Sequence, residues 1–261
     1  MVNEKVKIGY KNMSSLTQEQ LNKSLWAGAD DMRKSMSADD YKDYLLGLVF
    51  FKNLSDEILY EVVDLVENRK PESLEEAQKI FERYYLSEDK DLLEEEIRKK
   101  FGCFIKPEST FSHLAKEVAD RTFMLSSLSQ IFRDIEQSQG LFYEGLFEDF
   151  DINSKKLGKT AAEANKLISS VIIQLADIDF HSYGHDALGD AYEYLISKFA
   201  SESGKKAGEF YTPRAVSRLL ARIVTDGQEH KNAFSVYDPT MGSGSLLLQV
   251  KNFIVDSPTL T

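Results

Sequence analysis

Between Ser37 and Lys70 apolar residues return every three or four positions, and Tyr41, Leu45, Leu48, Phe51, Leu54 and Ile58 fall on one face of a 3.6-residue repeat. The spacing predicts a long helix. Ser37 is placed to cap its N-terminus, and Asp40 lies in the first turn, where a carboxylate suits the positive end of the helix dipole. The stretch 87–102, SEDKDLLEEEIRKKFG, predicts a second helix with both end signals: Ser87 opens it, acids come early, Arg98, Lys99 and Lys100 come late, and Gly102 suits the left-handed residue that ends it. Residues 109–137 predict one or two more, so most of 16–150 reads as helix.

The periodicity breaks over 140–158, GLFYEGLFEDFDINSKKLG, which reads as a packed loop between domains. Phe142, Tyr143, Phe147 and Phe150 lie in it, and such aromatics either stack on an extruded base or seal an interface; the interface reading is preferred. Helical pattern resumes at Thr160, where Thr160 and Glu163 have the spacing of a capping box, and runs to about Asp177. Another helix follows from Asp186. His181 and His185 have a spacing that could put two imidazoles toward one metal, but Tyr183-Gly184 interrupts them and no third ligand is evident, so they read as surface histidines.

Composition narrows the classes. At 261 residues, 42% hydrophobic and 29% charged, the chain is that of a soluble globular protein with room for one or two domains. No apolar run approaches the roughly 18 residues of a membrane span, and the N-terminus lacks the apolar core of a secretory signal. The single cysteine, Cys103, excludes an intramolecular disulfide framework and fits a cytoplasmic setting. A net charge of −11 argues against a free-standing nucleic-acid binder, whose affinity comes largely from basic side chains on phosphates. If nucleic acid is the target, a partner supplies much of the grip.

Chemistry concentrates near the end. In GEFYTPRAVSRLLARIV (208–224) Thr212 is a natural N-cap and Pro213 sits at the first helical position, where its missing N–H costs nothing. Val216, Leu219, Leu220 and Ile223 share one face of the helix. The helix start presents unpaired N–H groups that suit a carboxylate or phosphate. Then SVYDPTMGSGSLLLQV (235–250) follows: a short β-rich run predicts a buried strand over 233–237, Asp238 stands at its carboxyl end, and Gly242-Ser243-Gly244 leads into an apolar helix. Strand, acid, glycine turn and helix are the opening of a doubly wound α/β sheet, whose ligands bind beyond the strand ends. No lysine follows Gly244 as a P-loop needs, and Leu247 occupies the third small position of a dinucleotide fingerprint. An amino-acid-bearing cofactor fits better, its amino group on Asp238 and its carboxylate at the Thr212 helix start.

These residues resemble a known family. GEFYTPR resembles motif X and DPTMGSGSL resembles motif I of the adenine-N6 DNA methyltransferases that use S-adenosylmethionine, in the X-before-I order of their γ arrangement. The chain as a whole is similar to the methylation (HsdM-type) subunit of type I restriction–modification systems, including LWAGADDMRKSMSADDYKDYLLGLVFFKNLSD and LGDAYEYLISKFASESGKKAGEFYTPR. The resemblance implies that Glu209, Phe210, Tyr211, Thr212, Pro213 and Arg214 line the cofactor site, that the turn Gly242, Ser243, Gly244, Ser245 lies against the methionine part, and that Asp238 accepts from its amino group. It also implies a specificity subunit, a restriction subunit, double-stranded DNA reached through the complex, and a second copy of the chain as partners.

One departure stands out. The family's catalytic tetrapeptide, Asn/Asp-Pro-Pro-Tyr/Phe, is absent, Asp238-Pro239 being the only Asp-Pro, so no catalytic residue is assigned. The expectation is a mainly helical chain: a helical bundle domain over 1–158, then the start of a Rossmann-like methyltransferase domain over 159–261, together the N-terminal part of a longer subunit. A methyltransferase of the same fold acting on protein or RNA, and a non-enzymatic helical interaction module, stay open.

Overall fold

The computed structural model describes residues 18–138, 140, 142–183, 187–202, 212, 214–228, 235–241, 244–251, 253 and 254. The regular elements of the described residues are all helical: α1 (Gln18–Gly28), α2 (Asp30–Arg33), α3 (Ala38–Glu67), α4 (Leu74–Tyr85), α5 (Lys90–Phe101), α6 (Phe111–Ala119), α7 (Leu125–Glu136), α8 (Ala161–Ala176), α9 (Ala187–Glu202), α10 (Arg214–Thr225) and α11 (Ser245–Lys251). Short 3₁₀ turns sit at Pro107–Ser109 and Phe180–Tyr183.

The central member is α3, against which α4, α5, α6, α8 and α9 pack. Its periodic residues Tyr41, Leu45, Leu48, Phe51, Leu54 and Ile58 are all buried, as their spacing predicts. Asn68 ends it in the left-handed conformation (φ 51°), a geometry that asparagine tolerates better than most residues. Ser37 precedes it without capping the backbone; its hydroxyl donates instead to Asp40, 2.7 Å away, and Asp40 pairs with Lys156.

Helix ends explain most of the remaining boundaries. Ser73, Thr110 and Thr160 accept from the backbone N–H three residues on, at 3.1, 3.2 and 3.2 Å. Glu163 closes the second half of its box on the N–H of Lys159, one residue earlier than the spacing predicts. The α5 start differs more. Ser87 donates to the Tyr84 carbonyl at the end of α4 and accepts from Asp89, so it closes one helix and α5 opens three residues later at Lys90. Gly102 takes the expected left-handed role at φ 73°.

The 140–158 loop lies on α3 and α7. Phe147 stacks on Phe132 at 3.8 Å, and Phe150 stands edge-on to the same ring at 4.9 Å. A Cβ at Gly47 would come within 3.2 Å of the Phe150 ring, so a glycine lets α3 meet this loop closely. Phe142 remains 83% exposed.

One apolar core runs from Leu21 in α1 to Phe199 in α9. Within it, α8 buries Ile168, Val171, Ile172 and Leu175 against α1, α3 and α6. Burial of each such side chain contributes roughly 1.5–3 kcal/mol. A polypeptide of residues 1–202 is therefore expected to melt at least about 10 °C above one of residues 1–158. Equal midpoints by far-UV circular dichroism would show that α8 and α9 add nothing to the core.

The buried strand over 233–237 is not found among the described residues. Residues 235–238 carry no strand, and Val236 and Tyr237 are exposed. A β-run needs a ladder partner to satisfy its backbone and neighbours to bury its side chains, and the described residues offer neither.

Candidate functional site

The helices that follow the two motifs, α10 and α11, pack against each other. The contact face of α10 is its small one: Ser217, Ala221 and Thr225 recur every four residues and are buried. Its large apolar residues Val216, Leu219, Leu220 and Ile223 share a face, as their spacing predicts, but that face is 44–62% exposed. Arg218 and Arg222 lie along one flank, and α10 carries no acid.

Thr212 stands half-buried just ahead of α10. Glu209, Phe210, Tyr211, Pro213, Gly242 and Ser243 lie outside the described residues, as do the side chains of Arg214 and Ser245; the backbone of Arg214 opens α10 and that of Ser245 opens α11. Asp238 is half-buried and makes a tight local turn: its Oδ1 accepts from the Thr240 N–H at 2.9 Å and from the Thr240 hydroxyl at 3.2 Å. One carboxylate oxygen is thus engaged by the chain itself. Gly244 adopts φ 74°, its carbonyl accepts from Leu248 at 3.0 Å to begin α11, and among the described residues no atom lies within 4 Å of where a Cβ would stand. A left-handed glycine directly before a helix is what lets a ligand approach backbone closely. These two features fit an amino-acid-bearing cofactor.

A second polar group, inside the helical body, is one that the apolar periodicity hides. Lys52 and Asp56 are fully buried one turn apart on α3, and the Lys52 ammonium donates to Asp56 Oδ2. Burial pushes the Asp56 carboxyl up, to about 6, against the pull of Lys52. Nearby, His181 stacks on Tyr60 at 3.8 Å, with its Nε2 3.1 Å from Glu57 Oε1; that carboxylate raises the imidazole above its ordinary value, opposed by burial. The Tyr60 hydroxyl donates to Asp179 at 2.8 Å. His185 lies outside the described residues, and among the described residues no group of His, Cys, Asp and Glu is arranged to hold a metal. Cys103 is buried, which pushes its thiol up to about 11 and leaves little thiolate at neutral pH. A groove of about 1060 Å³ between α5 and Phe142–Tyr143 is lined by no residue of either motif.

Comparison with known proteins gives this geometry its context. Residues 21–175 match the model of the HsdM N-terminal domain, and residues 183–259 match that of the N-6 DNA methylases. The chain is 34% identical over 245 residues to the type I restriction enzyme MpnII methylase subunit of Mycoplasma pneumoniae, covering 88% of this chain and 44% of that one. It is 30% identical over 257 residues to the MjaVIII methylase subunit of Methanocaldococcus jannaschii, covering 96% and 38%. The crystal structure of the type I restriction–modification methyltransferase subunit from Streptococcus thermophilus superposes with a TM-score of 0.83 at 45% identity, over 90% of this chain and 50% of that one. The chain thus spans half or less of the length of these relatives. With the HsdM N-terminal match running from α1 through α8 and the N-6 methylase match taking in both glycine-turn and Thr-Pro motifs, the chain belongs to the family of type I restriction–modification methylase subunits.

Proposed function

We propose that the chain is the N-terminal part of the modification subunit of a type I restriction–modification system, and that the complete subunit transfers a methyl group from S-adenosylmethionine to adenine N6 in specific DNA sequences. The observation that carries this reading is the pairing of Asp238, one oxygen already fixed, with left-handed Gly244 at the start of α11, on a helix packed against the one that Thr212 precedes. When bound, the cofactor supplies an electrophilic sulfonium methyl. The protein's part is to hold it. Asp238 would take the amino group, the Thr212–Pro213 segment would take the carboxylate, Gly242, Ser243, Gly244 and Ser245 would hold the methionine part, and Glu209, Phe210, Tyr211 and Arg214 would line the pocket.

The exposed apolar face of α10 supports a Rossmann-like start to this region, because a helix that flanks a sheet buries such a stripe against the strands. We place the helical domain at 1–158 and the methyltransferase region at 159–261, with α8 and α9 packed back onto the helical body. The excess of acids, −11 overall, fits a subunit that meets double-stranded DNA inside a complex with a specificity subunit, a restriction subunit and a second copy of itself. No described helix is long and apolar enough to cross a membrane, and a cytoplasmic setting suits a DNA-modifying subunit.

Titration calorimetry of the chain with S-adenosylmethionine tests the pocket. Asp238→Ala removes the acceptor of a charged donor, a loss of about 1.5–3 kcal/mol, or roughly 10- to 150-fold in affinity. Gly244→Val places a branched side chain at a left-handed φ, and a loss of similar size is expected. Unchanged affinity in both variants would sink the assignment.

A further inference from the structure

Residues 177–182 lead out of α8 and fall between the two matched regions, one ending at residue 175 and the other beginning at 183. This connector is fastened to the helical body at apolar and polar points alike. Ile178 and Phe180 are buried in the core. His181 lies flat on the Tyr60 ring of α3, with centroids 3.8 Å apart and planes 19° apart, and its Nε2 stands 3.1 Å from Glu57 Oε1 on the same helix. Asp179 serves both sides of the joint. Its Oδ2 accepts from the Tyr60 hydroxyl at 2.8 Å, and its Oδ1 accepts from the His181 backbone N–H at 3.0 Å. One imidazole thus bridges the connector to α3 through a ring stack and a carboxylate, while a second carboxylate fixes the turn that presents it.

Acids outnumber cations around this ring. Glu57 and Asp56 act on it from α3 and Asp179 from its own turn, and α9, which packs on that turn, carries Asp190 in its first turn. The nearby cation, Lys52, is committed to Asp56. The hydroxyls of Tyr60 and Tyr183 are pushed up by burial and stay protonated. Within this set His181 is the group that can gain positive charge between about pH 5 and 8. We infer that His181 is a pH-sensitive latch: as an imidazolium it fastens the connector between α8 and α9 to Glu57 on α3, and as a neutral imidazole it holds that connector less tightly. The direction follows from linkage. Glu57 raises the imidazole above its ordinary value against the pull of burial, so the folded state holds the proton more tightly than the unfolded one. The extra hold is complete below the unfolded value of about 6.5 and is lost as pH rises through the raised one.

Nuclear magnetic resonance on the 261-residue chain reads the latch without any cofactor. The His181 ring protons give its titration midpoint. Amide exchange at Ile178 and His181, whose N–H groups bond to Leu175 and Asp179, gives the tightness of the connector. Exchange is compared at about pH 5.5 and about pH 8, each rate divided by the intrinsic rate at that pH.

The expected result is a midpoint above about 6.5 and corrected exchange about threefold to tenfold faster at the higher pH. Glu57→Gln keeps a side chain able to hydrogen-bond but removes its charge, so the midpoint should fall and the pH dependence should shrink below about twofold. His181→Gln, which cannot gain charge, should show the same flat response, with a thermal midpoint at the higher pH close to the parent's. Asp56, pushed up to about 6, remains in both variants and separates its own titration from that of His181. A parent midpoint at or below about 6.5 overturns the latch, and so does parent exchange that is equal at the two pH values. A pH dependence that survives undiminished in His181→Gln overturns it as well, since the sensitivity would then lie in Asp56.

Discussion

Replacing Lys52 with methionine is expected to remove about 3–5 kcal/mol of folding stability near pH 8, the cost of leaving a buried charge without its partner. Lys52 and Asp56 are 1% and 0% exposed, and Asp56 Oδ1 already lacks a hydrogen-bond partner among the described residues. Methionine matches the lysine stem in volume, so the loss comes from the carboxylate and not from a cavity. The pH dependence follows from the direction of the Asp56 shift. Burial holds this carboxyl above its unfolded value, and losing Lys52, which pulls it down, raises it further. A folded-state pKa above the unfolded one means that the folded protein binds the proton more tightly, so stability rises as pH falls through the folded value. The penalty should therefore be greatest near pH 8 and shrink toward about pH 5. Lys52→Met with Asp56→Leu removes both charges and should recover to within about 1 kcal/mol of the parent, since well-packed apolar residues replace such pairs at little cost. Denaturant titrations at the two pH values decide it. A single-variant loss below about 1 kcal/mol at the higher pH would mean that water reaches Asp56.

What the sequence made legible follows the physics that is local to it. Tyr41 to Ile58 announce α3 because one helical face is all that a 3.6-residue repeat can specify, and the interior accepts that face. Thr160 and Gly102 announce helix ends because capping is settled within four residues. Ser87 misled for the same reason: serine caps a start or closes a preceding turn with equal chemistry, and only the position of α4 decides. The left-handed conformation of Gly244 was readable from the Gly242-Ser243-Gly244 turn, again local. Pairings across the chain were not readable. Lys52 and Asp56 look like an ordinary exposed i,i+4 pair until the helices packed on α3 close around them. Tyr41 reads as core in the sequence, and nothing local says that its hydroxyl meets Glu202. The buried strand expected at 233–237 depended on neighbours that the described residues do not include, and pattern alone could not supply them.

The 261-residue chain, supplied with S-adenosylmethionine, mixed-sequence duplex DNA and a purified specificity subunit, is expected to transfer no methyl group. Adenine N6 is a weak nucleophile inside the duplex. A methyltransferase must extrude the base and hold the amino group in line with the donor methyl. In the resembled family the Asn/Asp-Pro-Pro-Tyr/Phe tetrapeptide does the holding, and these 261 residues contain no such sequence. Contacts of this kind form fully only in the transition state, so their loss falls on turnover and not on cofactor affinity, at roughly 100- to 1000-fold for each donor or acceptor removed. Cofactor binding and methyl transfer should therefore separate: Asp238 and the Gly244 turn retain a measurable grip on S-adenosylmethionine while tritium incorporation stays at the no-enzyme level. That separation also distinguishes this expectation from simple misfolding, which would abolish both. Sequence-dependent incorporation above background would instead mean that residues among these 261 grip the target amine, and the aromatic set of Phe142, Tyr143 and Tyr237 would be the first to substitute, Phe142 and Tyr237 being 83 and 85% exposed.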